Sequence, residues 1–599
     1  MVKNVKKVKR NKHKVRFSSM SKKINIISGF TFLLSAVSPF IANAATWTDE
    51  NTKVTFDSTV SFGSIARVAK RDKDLIGIAN GGTAPSLNSD EGDLNYHRGI
   101  AATVFKATHE LNIETREKFG AFARFTYLFD PYNNEKSQLV DEAKERIAHN
   151  IDLLDHFVYL NTEVAETHKL AFKFGNQAIN WGESTFIRNG INNFNPVDAT
   201  KIRTPGSEVR DALLPFPALN VNAGLTENLS VEGFYQFQWE KSELEARGTF
   251  FSTNNFASPG GERIYLGFGT SKSLFLRKGR PDNPSDFGQY GIALRYFSPE
   301  INNTEFALYH TRYHSRFPIV SARIGSGVPA TIISSSRYFL EYPEDIKTYG
   351  GSFNTEIGSL GLAWQGEVNY RQDQPLQIHS IELIQAGLSP LSAFMGVPVA
   401  ALATNQVLRD RGINTLGGIN ALQNTTMHGF KRYDVVTGQT TLSKVLGPNL
   451  KADQVTLVGE VGFNYVNDMP SKSKLRLDAL GTFRGGNPIL AGAEGVERSS
   501  AFPTAFSWGY VLATKLEYLN LFSDINVYPK LSFRHDVSGI TPNPLATFRE
   551  RQKAISIGFD STWQNSWQFN VQYTNYFGAG RYHLLRDRDH ISAEVKYSF

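Results

Sequence analysis

The sequence predicts an all-β protein, a large antiparallel transmembrane β-barrel of about eighteen strands in a range of 16-18. Three observations predict it: a secretion leader, side chains that change character at every second residue, and short turns that alternate with long irregular connections along 599 residues.

The leader comes first. Residues 1–23 hold ten Lys or Arg and no acidic residue, and residues 24–41 are uncharged and mainly apolar. Ala42, Asn43 and Ala44 supply the small residues a signal peptidase takes, so residues 1–44 read as a signal peptide and residues 45–599 as the mature barrel. The whole sequence carries 64 basic and 57 acidic residues; loss of the leader leaves 54 against 57, a net charge of −3. The basic pI of about 9.1 therefore belongs to the leader and argues for no nucleic-acid partner. With 0 Cys, disulfides, thiolate metal sites and cysteine nucleophiles are excluded.

After the leader no stretch offers about twenty unbroken apolar residues for a spanning helix. The nearest, 386–403, is interrupted by Gly387, Pro390, Gly396 and Pro398. A mean hydropathy of −0.29 with 12% aromatic residues suits strands whose lipid-facing and lumen-facing side chains average out.

The strands follow in order. A first strand is expected at 54–68 and a last at 591–599, where Ile591, Ala593, Val595, Tyr597 and Phe599 share one face and Ser592, Glu594, Lys596 and Ser598 the other. Tyr597 and Phe599 also form an aromatic-polar-Phe ending that resembles the signal read by the barrel assembly machinery. Between the two, short turns are expected at 116–118, 163–167, 224–228, 299–303, 358–360, 447–450, 519–522 and 564–566. Eight hairpins and two terminal strands make eighteen. Trp563 and Trp567 flank one turn, as an interfacial aromatic girdle requires. Short turns on one rim and long loops on the other are the outer-membrane arrangement, with the long loops extracellular.

Charged residues inside strands, Arg124, Lys173, Glu232, Glu367, Arg534 and Asp560, are expected to face the lumen, because an ionised group in lipid costs a few kcal/mol. The segment 177–217 is expected to fold inward as a constriction or plug loop. The segment 373–428 is too long and apolar for a solvated loop and reads as an insertion with short helices. It needs a dry place, as a plug, as a hydrophobic cap, or against neighbouring loops.

Trp181-Gly182-Glu183-Ser184, Gly190-Ile191-Asn192, Asn195-Pro196-Val197-Asp198 and Leu213-Leu214-Pro215 occur in the order and spacing of a known family. With Asp74–Gly77, Asp93–Tyr96 and Tyr235–Glu240, they make the mature chain resemble DUF1302, the domain-of-unknown-function family 1302. That resemblance implies an outer-membrane barrel of a Gram-negative bacterium that handles hydrophobic compounds. It also implies a periplasmic or lipoprotein partner and an inner-membrane exporter of the resistance-nodulation-division type, and it brings no catalytic residues.

The lumen site expected from these residues comprises Trp181, Glu183, Ser184, Asn189, Asn192, Asn195, Asp198, Lys201 and Arg203. Trp181 and the three asparagines suit tight turns and backbone hydrogen bonds, and the four charged residues suit one ionic network. Ser184 lacks the flanking glycines of a nucleophile elbow, since Phe186 stands at the second position. An outer-membrane lipase or esterase using Ser184 with His149 or His156 is the weaker alternative. Asp90-Glu91-Gly92-Asp93 lacks the spacing of a Ca²⁺ loop and reads as a solvated acidic loop. His310 and His314 lie about 13 Å apart along a strand, too far to share an ion. No catalytic metal or cofactor is expected. The expected function is a channel or transporter for a hydrophobic or amphipathic small molecule in the outer-membrane lipids, with a general diffusion porin as the alternative.

Overall fold

The computed structural model describes residues 45–116, 118–165, 168–491 and 495–599, so the expected signal peptide lies outside the described residues. Eighteen strands run around a closed ring, each antiparallel to its neighbours. The first nine are β1 (Thr52–Arg67), β2 (Gly99–Thr115), β3 (Phe119–Phe129), β4 (His149–Ala165), β5 (His168–Gln177), β6 (Phe216–Gly224), β7 (Leu229–Gln236), β8 (Gln289–Ser298) and β9 (Thr304–Tyr313). The others are β10 (Ile346–Ile357), β11 (Leu362–Gln377), β12 (Phe430–Leu446), β13 (Gln454–Val466), β14 (Phe506–Phe522), β15 (Ile525–Ser538), β16 (Gln552–Trp563), β17 (Trp567–Gly578) and β18 (His590–Ser598). The seam pairs β1 with β18 from Thr59 opposite Ser598 to Arg67 opposite His590. Beyond it Ser58 and Phe599 exchange two backbone hydrogen bonds of 2.8 and 2.9 Å. Closure pairs the first and last strands of the ring, as a sheet in lipid requires, and the short strand Ala45–Thr48 adds to β1 beside the seam, from Ala45 opposite Phe56 to Thr48 opposite Lys53.

The alternation expected from the sequence sorts the two faces. On β8, Tyr290, Ile292, Leu294 and Tyr296 are exposed outward, while Ala293 between them is fully buried. Charged strand residues pair on the inner face: Glu232 with Arg295 at 2.8 Å, Arg534 with Asp536 at 3.0 Å, Asp560 with Lys530 at 2.8 Å, and Arg124 with Asp155. Lys173, which alternates with the outward Phe174, lies over the Phe157 ring at 5.3 Å.

Eight connections of two to seven residues lie on one rim and nine longer ones on the other. Trp563 is paired directly with Trp567 beside its turn. The turn expected at 519–522 instead falls after Phe522, because a bulge at Asn520 (φ 51°) carries β14 onward to pair with Ile525. The long connections build structure that the sequence does not announce. Short strands Arg263–Gly267, Ser271–Lys278, Ile319–Arg323, Arg337–Glu341 and Thr426–Met427 assemble a second, five-stranded sheet at that rim.

The apolar insertion forms five short helices, Ser380–Gly387, Ser389–Phe394, Val399–Leu402, Gln406–Asp410 and Leu416–Asn420. Leu383, Leu402, Leu408 and Ile419 bury against one another, against Ile324 and Met427 near the second sheet, and against Leu475 of the β13–β14 connection.

Candidate functional site

The connection between β5 and β6 crosses the interior and is held by its backbone to two carboxylates of the opposite wall. Glu367 on β11 accepts from the amides of Glu183 at 2.6 Å and Ile191 at 2.8 Å, and from the Gln439 amide at 2.8 Å. Glu460 on β13, fully buried, accepts from the amides of Thr185 at 2.9 Å and of Phe186 and Ile187 at 2.7 Å each. Bonds from N–H groups to an ionised acceptor are stronger than neutral ones, and consecutive amides converging on one anion make a nest. The local sequence permits this. Gly182 sits at φ +83°, and a β-carbon there would lie 2.2 Å from the Glu367 carboxylate; at Gly190 it would lie 1.9 Å away.

The same segment presents an apolar face to another part of the wall. Trp181, Ile191 and Phe194 bury with Phe234 of β7, Ala293 of β8 and Tyr309 of β9. The Trp181 ring stands 5.4 Å from Phe194, 5.2 Å from Phe234 and 5.8 Å from Tyr309. Trp181 donates its amide to Asn192 Oδ1 at 3.4 Å and is also the centre of an aromatic cluster, because the barrel wall supplies ring partners far away in sequence.

The asparagines do make backbone hydrogen bonds. Asn189, at φ +72°, donates to the Leu545 carbonyl at 2.9 Å and Thr547 Oγ1 at 2.5 Å, and its carbonyl accepts from Arg371. Asn195 donates to the Ile179 carbonyl at 2.7 Å and to Asn192 Oδ1 at 2.6 Å; Asn192 donates to Asn180 at 2.7 Å.

The expected single ionic network divides, with Glu183 apart from the other three, although Asp198 does pair ionically, 3.8 Å from Arg146, which also meets Glu243 at 2.9 Å. Asp198 caps the helix Ala199–Ile202 through the Thr200 amide at 2.9 Å, Lys201 reaches Asp152 of β4 at 2.5 Å, and Arg203 reaches Glu245 at 3.2 Å. Glu183 instead accepts from the Asn354 amide at 3.1 Å, and burial, with Glu305 and Glu367 nearby, pushes its carboxyl up to about 7. One short helix sends successive side chains in different directions, so neighbours in sequence reach different partners. Sequence reasoning missed Glu460, Arg371 and the buried Lys106–Asp211 pair at 2.5 Å. Glu460 was detectable as an acidic residue inside the alternating segment 455–466.

Ser184 is exposed between the two carboxylate grips. His156 is engaged elsewhere, with the Leu154 carbonyl at 2.9 Å and the Asn176 amide at 2.6 Å. His314, Glu344 and Asp345 bring possible ligand atoms within 4.8 Å of one another. Both His314 nitrogens are already used: Nδ1 accepts from the Asp345 amide at 3.1 Å and Nε2 faces the Phe287 carbonyl at 3.0 Å. This set fits a hydrogen-bonded loop anchor and not a metal site.

The acidic loop is not solvated. Asp90 is fully buried, accepts from the Gly77 amide at 2.9 Å and Asn80 at 2.8 Å, and is pushed up to about 6 by burial. Asp93 sits in a buried quartet with Arg67, Asp587 and Arg588, where Arg67 lies 3.0 Å from Asp93 and 2.8 Å from Asp587. The arginines come from both ends of the chain, which is why the local sequence hid the quartet.

Above the barrel, the second sheet and the helix Ser380–Gly387 enclose a crevice of about 140 Å³ lined by Leu266, Leu276, Val320, Tyr338, Leu383 and Leu388.

The family model described as "Protein of unknown function (DUF1302)" matches residues 26–599. No curated protein sequence matches the chain. Among solved structures, OccAB1 of Acinetobacter baumannii is similar at 9% identity, with 93% of this chain and 98% of that one covered and a TM-score of 0.41. Pseudomonas aeruginosa OpdK with vanillate follows at 8% identity, 92% and 98% coverage and 0.40. Salmonella typhi OmpF in complex with daunomycin follows at 8%, 93% and 100%, and 0.35. Likenesses this distant add nothing to what the strand pairing shows.

Proposed function

This chain belongs to the DUF1302 family, and from that premise, with its closed barrel, we propose an outer-membrane channel or transporter that passes a hydrophobic or amphipathic small molecule without covalent chemistry. The observation that carries this is the apolar crevice at the long-loop rim of a barrel whose interior is crossed by an anchored segment. A crevice lined mainly by Leu, Ile, Val and Tyr side chains, with Arg323 and Asp478 also on its wall, takes a greasy or amphipathic ligand, and a loop fixed on both walls restricts free diffusion.

The outward apolar rows suit outer-membrane lipid, and the paired Trp563 and Trp567 suit its periplasmic interface, with the long loops outside the cell. The segment 177–217, with its ends on β5 and β6, is the lumenal constriction and residues 373–428 part of the hydrophobic superstructure above it. The terminal Tyr597 and Phe599 are the feature the barrel assembly machinery reads. A periplasmic or lipoprotein partner and an inner-membrane exporter complete the route.

Mass spectrometry of the lipid extract from the purified barrel tests this directly: a hydrophobic molecule is expected to copurify. Large, steady, ligand-independent conductance steps in planar bilayers would instead establish a general diffusion porin.

A further inference from the structure

The connections after β1, β13, β15 and β17 enclose a cavity of about 1140 Å³ at the long-loop rim. Six arginines line it: Arg484, Arg498, Arg549, Arg551, Arg581 and Arg586. Three have carboxylates. Arg581 meets Glu497 at 2.7 Å, Arg586 meets Asp72 at 2.6 Å and Asp74 at 3.1 Å, and Arg551 lies 3.8 Å from Glu550. Among the described residues, Arg484, Arg498 and Arg549 have no carboxylate in ion-pair range, and the buried Nε of Arg484 has no hydrogen-bond partner.

The cations are also gathered. Arg498, Arg549 and Arg581 stand over the single Tyr582 ring at 4.8, 4.4 and 4.9 Å. Glu497, which accepts from Tyr582 Oη at 2.7 Å, is the carboxylate paired with this group. Three guanidiniums against one carboxylate repel one another, and a bound anion relieves that.

The apolar crevice adjoins this cavity. Pro85 lines both, and the chain passes from Phe483 in the crevice to Arg484 in the cavity, and from Tyr582 in the cavity to Leu584 in the crevice. A volume of about 140 Å³ is close to that of a protein cavity that admits a benzene ring.

We propose that the two compartments form one binding site for a small amphipathic anion, with a carboxylate or similar oxyanion on Arg484, Arg498 and Arg549 and an apolar tail in the crevice. This rests on the conduit proposed above and gives its ligand a charge.

Calorimetric titration of the full barrel in neutral detergent tests it with 3-phenylpropanoate, 3-phenylpropanol and inorganic phosphate. The acid is expected to bind about ten-fold tighter than the alcohol, as charge-assisted contacts allow. Arg484→Gln with Arg498→Gln should bring the acid to the level of the alcohol and leave the alcohol unchanged. Lys272→Gln, on an exposed residue that lines neither compartment, should change neither. Acid and alcohol of equal affinity would overturn the anion site yet leave a hydrophobic conduit standing. Phosphate as tight as the acid would replace it with a free-anion site, and binding of neither organic probe would overturn both proposals.

Discussion

The Glu367 carboxylate occupies the place where a β-carbon on Gly190 would have to be, 1.9 Å from that position. No side-chain rotation of Gly190→Ala avoids this, so the loop or the carboxylate must give way. The substitution is expected to free residues 181–191 and raise single-channel conductance about two-fold or more, as opening a constriction does. Unchanged conductance with unchanged protease resistance of the loop would contradict the constriction.

Glu460 carries three of the loop's amide bonds. Replacing it by Ala leaves three N–H groups without a partner, at about 1–3 kcal/mol for each group left buried. Hydrogen exchange at Thr185, Phe186 and Ile187 should accelerate by several orders of magnitude, while amides in β16 and β17 keep their protection. Glu460→Gln should give an intermediate rate, since one side-chain oxygen still accepts.

Glu183 responds to pH. Its carboxyl is raised to about 7, so the folded chain holds this proton more tightly than the unfolded chain does. Ionisation therefore disfavours the folded loop as pH rises from the ordinary carboxylate range to about 7. As pH passes through about 7 the lumen of the folded channel gains one negative charge. Reversal potentials in a salt gradient should shift toward cation preference between pH 6 and 8, roughly one unit either side of that value. Glu183→Gln should abolish the shift.

Phe599 closes the ring through both of its backbone bonds to Ser58 and sets its side-chain ring, tilted by 31°, 5.5 Å from that of Tyr597. Deleting Phe599 is expected to reduce heat-modifiable barrel in the outer membrane several-fold, whereas Phe599→Tyr should preserve it. Equal amounts from all three chains would remove the assembly role from this residue.

The strand ring was legible because its signal is local: alternation needs only a strand and its own side chains, and even the pairing of Trp563 with Trp567 follows from a three-residue turn. The second sheet was not, because its strands span two to eight residues and one pairing, Arg277 opposite Arg337, is parallel across a long separation. Glu367 was placed correctly as an inward charge, but its partners lie 176 and 184 residues away. The ring partners of Trp181 are hidden from the sequence for the same reason. Its neighbours in sequence are turn formers, and its ring partners Phe234 and Tyr309 belong to the wall.

The quartet of Arg67, Asp93, Asp587 and Arg588 joins the first strand to loops from opposite ends of the chain, with every side chain at most 3% exposed. Mobile counterions weaken charges that water reaches, and these are out of their reach. A change from dilute to saline medium therefore leaves this part of the long-loop rim riveted in the same shape, while the exposed Arg498 and Arg551 nearby feel that change.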